Sequence, residues 1–417
     1  MDALAEARSG SHDVQVARSR AEAARYAEKA AGAFLLPTVG MEAGAVRSDD
    51  PVAAFGGRLR QQRFTQDDFD PARLNRPDPL TDWSGAVAAG WAPLDASALS
   101  GRRASRADAD AAALGADWTG RAAVFRAEIR YMEAVGAQQS QTAAEAALAA
   151  AEEVARLVEL RHREGLLTDA DLLRARAARE AARAAHIDAL RALVDARDRL
   201  AVAMGWPEGA VPVPTDTVFS DEADAPDIDV DRRADLRASA LSVDAAAARA
   251  SQARGARLPR LEGFARVETH SMKAWSGARQ DWTVGLQVRL PLFAGFAVTS
   301  RVRAASALYE AAGREHEARV RQATADLAET RRRVEAARRG TEAAQAAAEA
   351  ADEAARLMRR RFEEGLTTTA DLLGAEAQAA DLRARAIQAR LGLQMLVARL
   401  AFLTDTTTDD LPGGMER

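Results

Sequence analysis

Between Asp281 and Leu292 apolar and polar residues alternate without a break. Trp282, Val284, Leu286, Val288, Leu290 and Leu292 stand against Asp281, Thr283, Gly285, Gln287, Arg289 and Pro291. Side chains on an extended strand point alternately to its two faces, so the pattern predicts a strand with one apolar and one polar side. Residues 260–270 do the same, with Leu261, Gly263, Ala265 and Val267 against Arg260, Glu262, Arg266 and Glu268. Weaker versions occur at Val39, Met41, Ala43 and Ala45, and at Val87, Ala89 and Trp91. Elsewhere the rhythm is helical. Only isolated glycines interrupt the stretches 97–164 and 298–364. At ~1.5 Å rise per residue each predicts a rod on the order of 100 Å. The last helix places Leu382, Ala386, Ala389, Leu393, Leu396, Leu400 and Leu403 at steps of four and three, the rhythm of a left-handed coiled coil.

These elements come twice. Arg161-His-Arg-Glu-Gly165-Leu-Leu-Thr168-Asp-Ala-Asp171-Leu-Leu173-Arg-Ala-Arg-Ala177 matches the segment from Arg361 to Ala377 at 11 of 17 positions, offset by 200 without a gap. Asp82-Trp83 through Pro93-Leu94 resembles Asp281-Trp282 through Pro291-Leu292, and Leu36-Pro37 stands beside Leu258-Pro259. The expected organisation is a first repeat at 1–206 and a second at 232–403. Each holds a helix, a hairpin (about 36–94 and about 258–293), a long helix, a turn (165–168 and 365–368) and a last helix. A connector at 207–231, rich in proline and acid, and a polar tail at 404–417 complete the chain. Two copies are too few for a solenoid, and duplication describes them better.

Composition removes most kinds of chemistry. No cysteine is present among the 417 residues, which excludes disulfides, thiolate metal sites and a cysteine nucleophile. The five histidines, His12, His162, His186, His270 and His316, are scattered singly. No phosphate-binding glycine loop or nucleophile motif occurs, so neither an enzyme nor a resident cofactor or metal is expected. A net charge of −5 leaves no nucleic-acid footprint. No apolar run of about 18 residues offers a membrane helix. A β-barrel strand leaves a much weaker trace and stays open.

Four strands cannot close a barrel, and an open sheet of that size exposes its edges. Three protomers, each lending four strands, would give twelve, within the range of outer-membrane barrels. The duplicated Gly-Leu-x-Thr-x-x-Asp-Leu-Leu turn resembles that of the TolC-type outer-membrane efflux family. Leu-Pro before a strand, the Asp-Trp-x-x-Gly…Pro-Leu strands and Arg233-x-Asp-Leu236 resemble it too. The loop from Pro51 to Leu59, followed by Leu74-Asn75-Arg-Pro77, is similar to the long first hairpin loop of one branch. The resemblance spans about residues 3–403. It implies a mainly α-helical chain with four β-strands, long coiled helices forming an α-helical barrel and a shared trimeric twelve-stranded β-barrel. Implied with it are an outer membrane of a Gram-negative bacterium, a large periplasmic part, outer-membrane lipid around the barrel and a passive exit duct. Its expected partners are a periplasmic adaptor and an inner-membrane pump of RND or ABC type. Met1-Asp-Ala-Leu-Ala opens without a basic or an apolar signal region, so the signal of such an exported chain is absent from this sequence. A periplasmic coiled-coil adaptor is the alternative, and it explains the rods but not the strands.

At each turn Gly165 and Gly365 are placed to end the long helix, and Thr168 and Thr368 to cap the next. Asp171 and Asp371 follow at capping-box spacing. Two roles stand side by side for them: helix caps, or six carboxylates around an aperture where three chains converge. The resemblance places Asp371 in that aperture, with Phe362 where relatives carry a gate tyrosine and Thr367 where they carry an arginine. A second acid three residues on is replaced by Arg174 and Gly374, which weakens a double acid ring. Gly165-Leu166 and Gly365-Leu366, between charged flanks, correspond to the surface that receives the adaptor. Trp83, Trp91 and Trp282 lie where an aromatic belt would meet the lipid interface.

Overall fold

The computed structural model describes residues 11–206, 232–274 and 277–404. The connector at 207–231, the first ten residues and the tail beyond Thr404 lie outside the described residues. In chain order the elements are α1 (His12–Gly32), β1 (Thr38–Ser48), α2 (Pro51–Arg60), α3 (Pro71–Asn75), β2 (Leu80–Leu94), α4 (Ala96–Arg163) and α5 (Asp169–Met204). After the connector come α6 (Ala234–Gly255), β3 (Arg260–Ser271), β4 (Arg279–Arg289), α7 (Ala297–Glu363) and α8 (Thr369–Leu403). α4 and α7 have 68 and 67 residues, the lengths read from the uninterrupted helical pattern.

The chain divides into two compact units. One holds residues 22–110 and 240–314 and is built on the sheet. Its four strands are all antiparallel, in the order β1-β2-β3-β4, so the central pairing joins the two halves of the sequence. Pro37 and Pro259, which lack an N–H, sit immediately before β1 and β3, where no ladder bond is lost. The register aligns Met41 with Val87, Val87 with Val267, and Val267 with Trp282. Opposed residues share a face, so the alternating apolar residues of all four strands fall on one side, with Val46 and Phe264 among the exceptions. Glu42, Asp82, Ser84, Glu262, Arg266, Glu268, Asp281 and Gln287 fall on the other. Gly285 belongs to that polar side because the Phe264 ring lies over it, where an added Cβ would stand 2.5 Å from the ring. The alternation read through Leu292 overruns the strand: β4 ends at Arg289, and Leu290 and Leu292 lie beyond it.

The connection from β1 to β2, read from sequence as a loop, is largely helical. Asp50 accepts from Ala53 N at 2.7 Å and Asp70 from Ala72 N at 3.0 Å. Each is followed by proline at the first helical position, where a missing N–H is harmless. Phe55, Phe64 and Phe69 meet edge to face at 5.0 Å, and Arg58 pairs with Asp68. Gln61 Nε2 ties the segment to β2 through Thr81 O at 3.0 Å and Asp82 Oδ1 at 2.9 Å.

The other unit holds residues up to Ala21, 111–239 and 315 onward. Its core is a series of small clusters along the helices rather than one centre. Leu393, Leu400 and Leu403 of the predicted stripe bury against Leu327 and Val334 of α7. Higher up the same seam Leu382 packs on Ala351, Ala355 and Ala379. α8 departs from the expectation of no membrane-length apolar helix, for by length and composition alone it would qualify. Its apolar residues are seam leucines and alanines, and Asp381, Arg383 and Arg385 interrupt it.

Within this unit the Glu128 carboxyl is largely buried on α4, and burial pushes its pKa up to about 7. A raised carboxyl pKa favours folding below the unfolded value and loses that contribution as pH rises through 7. At ~1.4 kcal/mol per pKa unit the loss by pH 8 is on the order of 3 kcal/mol. Glu128→Gln is expected to raise the unfolding temperature at pH 8 and leave it unchanged at pH 4. Thermal melts at the two pH values check this.

Candidate functional site: the two helix turns

Both turns end their long helix in the same way. Gly165 and Gly365 take φ of +77° and +78°, a region costly for any side chain with a Cβ. Gly165 N donates to His162 O at 2.9 Å and Leu166 N to Arg161 O at 3.0 Å. The second turn repeats this with Gly365 N to Phe362 O at 3.0 Å and Leu366 N to Arg361 O at 2.8 Å. This pair of bonds is the Schellman closure, and it satisfies the last carbonyls of each helix. It also leaves Leu166 and Leu366 projecting, 69% and 63% exposed.

The following helices start on matching capping boxes. Thr168 Oγ1 accepts from Asp171 N at 3.2 Å and donates to Asp171 Oδ2 at 2.6 Å. Thr368 and Asp371 form the same two bonds at 3.2 and 2.6 Å. These bonds hold both carboxyls below the usual aspartate range. For Asp171 the Thr168 hydroxyl and backbone act first and Arg174 adds to them. For Asp371 the Thr368 contacts lead, followed by the Thr367 hydroxyl at 3.2 Å. Thr367 thus supplies a further donor to Asp371. Depressed carboxyl pKa values favour the fold above the unfolded value, and that contribution fades as pH falls through the folded one. Both aspartates are therefore charged at neutral pH, and the helix N-terminus favours a negative charge there.

Phe362 departs from its expected place at an aperture. Its ring is 1% exposed, packed with Val154, Val158, Ala175 and Leu372 from all four helices of the two hairpins. Burial makes it the core of the turn region rather than a surface group. Over that ring, 4.7 Å from its centre, lies the Arg161 guanidinium. Arg161 Nη1 and Nη2 donate to Phe362 O and Glu363 O, each at 2.5 Å, binding the first hairpin to the carbonyl end of α7. A cation at a helix C-terminus is favoured by the helix dipole as well. Nothing in sequence marked Arg161 beyond being a charged flank; its identity with Arg361 in the repeat was the available signal. Arg174 stands 4.0 Å from Asp171 and is otherwise turned to solvent.

In the sheet Trp83, Trp91 and Trp282 all lie on the apolar face. Trp83 is opposite Ala45 and Ser271, and Trp91 is opposite Gly263 and donates Nε1 to Leu35 O at 3.1 Å. Eight residues apart on β2, they are separated by about 26 Å at ~3.3 Å per residue. Trp282 is level in register with Val87, midway between them. The apolar side is open: Val39, Met41, Trp282 and Leu286 are 70%, 74%, 72% and 75% exposed. Two wet edges and a broad exposed apolar face describe an element built to be covered.

A family model described as "Outer membrane efflux protein" matches residues 3–206 and 229–405. The chain belongs to the outer membrane efflux protein family. Its role is that of an outer-membrane efflux duct, and the adaptor alternative fails on the strands. A membrane protein from Pseudomonas aeruginosa is similar in structure, with a TM-score of 0.84 at 21% identity over 97% of this chain and 91% of that one. The outer membrane protein VceC of Vibrio cholerae gives 0.82 at 18% identity over 97% and 95%. The open state of the Neisseria gonorrhoeae MtrE outer membrane channel gives 0.81 at 21% over 97% and 88%. No curated protein matches. The fold is thus that of outer-membrane channels, with long helices and a barrel part, and the family is one of channels rather than enzymes.

Proposed function

We propose that three copies of this chain form one passive duct without catalytic activity, each lending four strands to a twelve-stranded barrel in a Gram-negative outer membrane. The observation that carries this is the register of the sheet, which puts every apolar strand face on one side and leaves β1 and β4 unpaired at the edges. Closure of three such sheets removes all edges and turns the apolar faces to lipid. Trp83 and Trp91 then mark the two interfaces: at the ~40° strand tilt of such barrels they stand about 20 Å apart in height, near the limits of the ~25 Å apolar band, and Trp282 faces the same lipid. The chain is a duplication, 1–206 and 232–403, joined by the connector. The helices form the periplasmic part, and an inner-membrane pump of RND or ABC type with its adaptor delivers the substrate.

The duplicated turns support a ring. Arg161 caps the carbonyl end of α7 within the chain, whereas Arg361, its match, is exposed and caps no helix among the described residues. In a ring of alternating hairpins Arg361 takes the His162 and Arg163 carbonyls of the next chain. Asp171 and Asp371 then supply six carboxylates near the aperture, with Arg174 beside them. Leu166 and Leu366, with Gly165, Gly365, Thr168 and Thr368 fixing their turns, receive the adaptor. As caps the aspartates tolerate asparagine, which also accepts from the backbone. Asp171→Asn with Asp371→Asn should therefore preserve the trimer but weaken divalent-cation block from the helix side in bilayer recordings. Unchanged block would confine these aspartates to capping.

A further inference from the structure

The polar face of the sheet carries a group that a passive duct does not need. Glu268 and His270 lie two residues apart on β3, and Asp281 of β4 stands opposite Glu268. One ligand atom from each of the three lies within 4.8 Å of the others. His270 is deeply buried, its side chain 5% exposed. Its Nδ1 meets Asp82 Oδ2 at 2.8 Å, and Gln61 Nε2 holds the other oxygen of that carboxylate. A carboxylate accepts only, so it fixes the proton on Nδ1 and leaves Nε2 with its lone pair. That Nε2 is buried and has no hydrogen-bond partner. Glu268 Oε2 is 3.8 Å from it, beyond hydrogen-bond range, while Arg266 occupies Oε1. An orphaned buried acceptor is costly unless something fills it.

We propose that Glu268, His270 and Asp281 bind a divalent transition-metal ion, with His270 Nε2 and one oxygen from each acid as ligands. Asp82 is the positioning residue: a carboxylate on the far nitrogen orients the imidazole and raises its basicity, as metal-bound histidines commonly require. One imidazole and two carboxylates suit a Zn²⁺-like ion rather than a soft monovalent one. Ligands about 2.1 Å from such an ion stand roughly 3–4 Å apart. His270 Nε2 and Glu268 Oε2, 3.8 Å apart, already have that spacing, and the exposed Asp281 is the ligand that closes on the ion. The sequence concealed the site because ten residues, the connection from β3 to β4 among them, separate His270 from Asp281, and only strand pairing brings them together.

The test is equilibrium dialysis of the full chain in detergent against Zn²⁺, followed by X-ray absorption at the zinc edge. One ion per chain is expected, with one nitrogen and otherwise oxygen donors. Asp281→Asn lies on the exposed surface and leaves the fold intact; together with His270→Ala it should weaken binding at least tenfold. Asp82→Asn removes the orienting charge and should cost ten- to a hundredfold. Equal binding by the wild type and Asp281→Asn, or no binding by the wild type, overturns the site. Conductance of the proposed trimer in bilayers would be intact in either case.

Discussion

Leu286→Arg should abolish insertion of the chain into lipid, whereas Gln287→Arg, one residue along the same strand, should leave insertion intact. Leu286 is 75% exposed on the apolar face of β4, and Gln287 lies on the polar face, where Gln287 Nε2 donates to Glu262 Oε2 at 2.7 Å. A guanidinium facing the middle of a bilayer costs roughly 2–4 kcal/mol per site in an outer-membrane barrel. In the proposed trimer that cost is incurred three times by one substitution, enough to overturn a marginal assembly equilibrium. On the polar side the same charge meets water. Protease protection in lipid vesicles separates the two variants, and equal behaviour would mean that the sheet's faces are not lipid and lumen.

The second large effect is expected at the turns. Leu166→Asp with Leu366→Asp should reduce export of the duct's substrate by cells to that of a strain without the duct, while the proposed trimer stays intact on purification. The Schellman bonds that shape each turn come from backbone groups and from glycines at positive φ, and neither leucine side chain takes part in them. Both leucines project into solvent, so their replacement removes apolar docking surface and little internal packing. Loss of stability would show instead on truncating Leu372, which is fully buried in the same region, at about 2–5 kcal/mol. Export unchanged in the double variant would take these leucines out of the adaptor surface.

How much of this was legible in the sequence follows from which patterns are local. Strand alternation at Trp282–Val288 and the glycine-leucine-threonine turns carry their own geometry, and the structure places both where they were read. The helices of 68 and 67 residues needed only the absence of a stop. The helices α2 and α3 between β1 and β2 were signalled by Asp50-Pro51 and Asp70-Pro71, a cap followed by proline, yet their shortness hid them. Phe362 was misplaced because resemblance to a gate tyrosine says nothing of packing: its partners Val154, Val158 and Leu372 come from other helices. Arg161 is the converse, a charge that seemed solvated and in fact binds two carbonyls 201 and 202 residues away. His270 and Asp281 likewise gain meaning only through register.

Three chains are expected to close one conducting barrel. Native mass measurement of the detergent-purified protein, with single-channel recording of the same sample, decides this. The prediction is a complex of three times 44.5 kDa that forms long-lived open pores in a planar bilayer. A monodisperse 44.5 kDa monomer, soluble without detergent and silent in the bilayer, would contradict it.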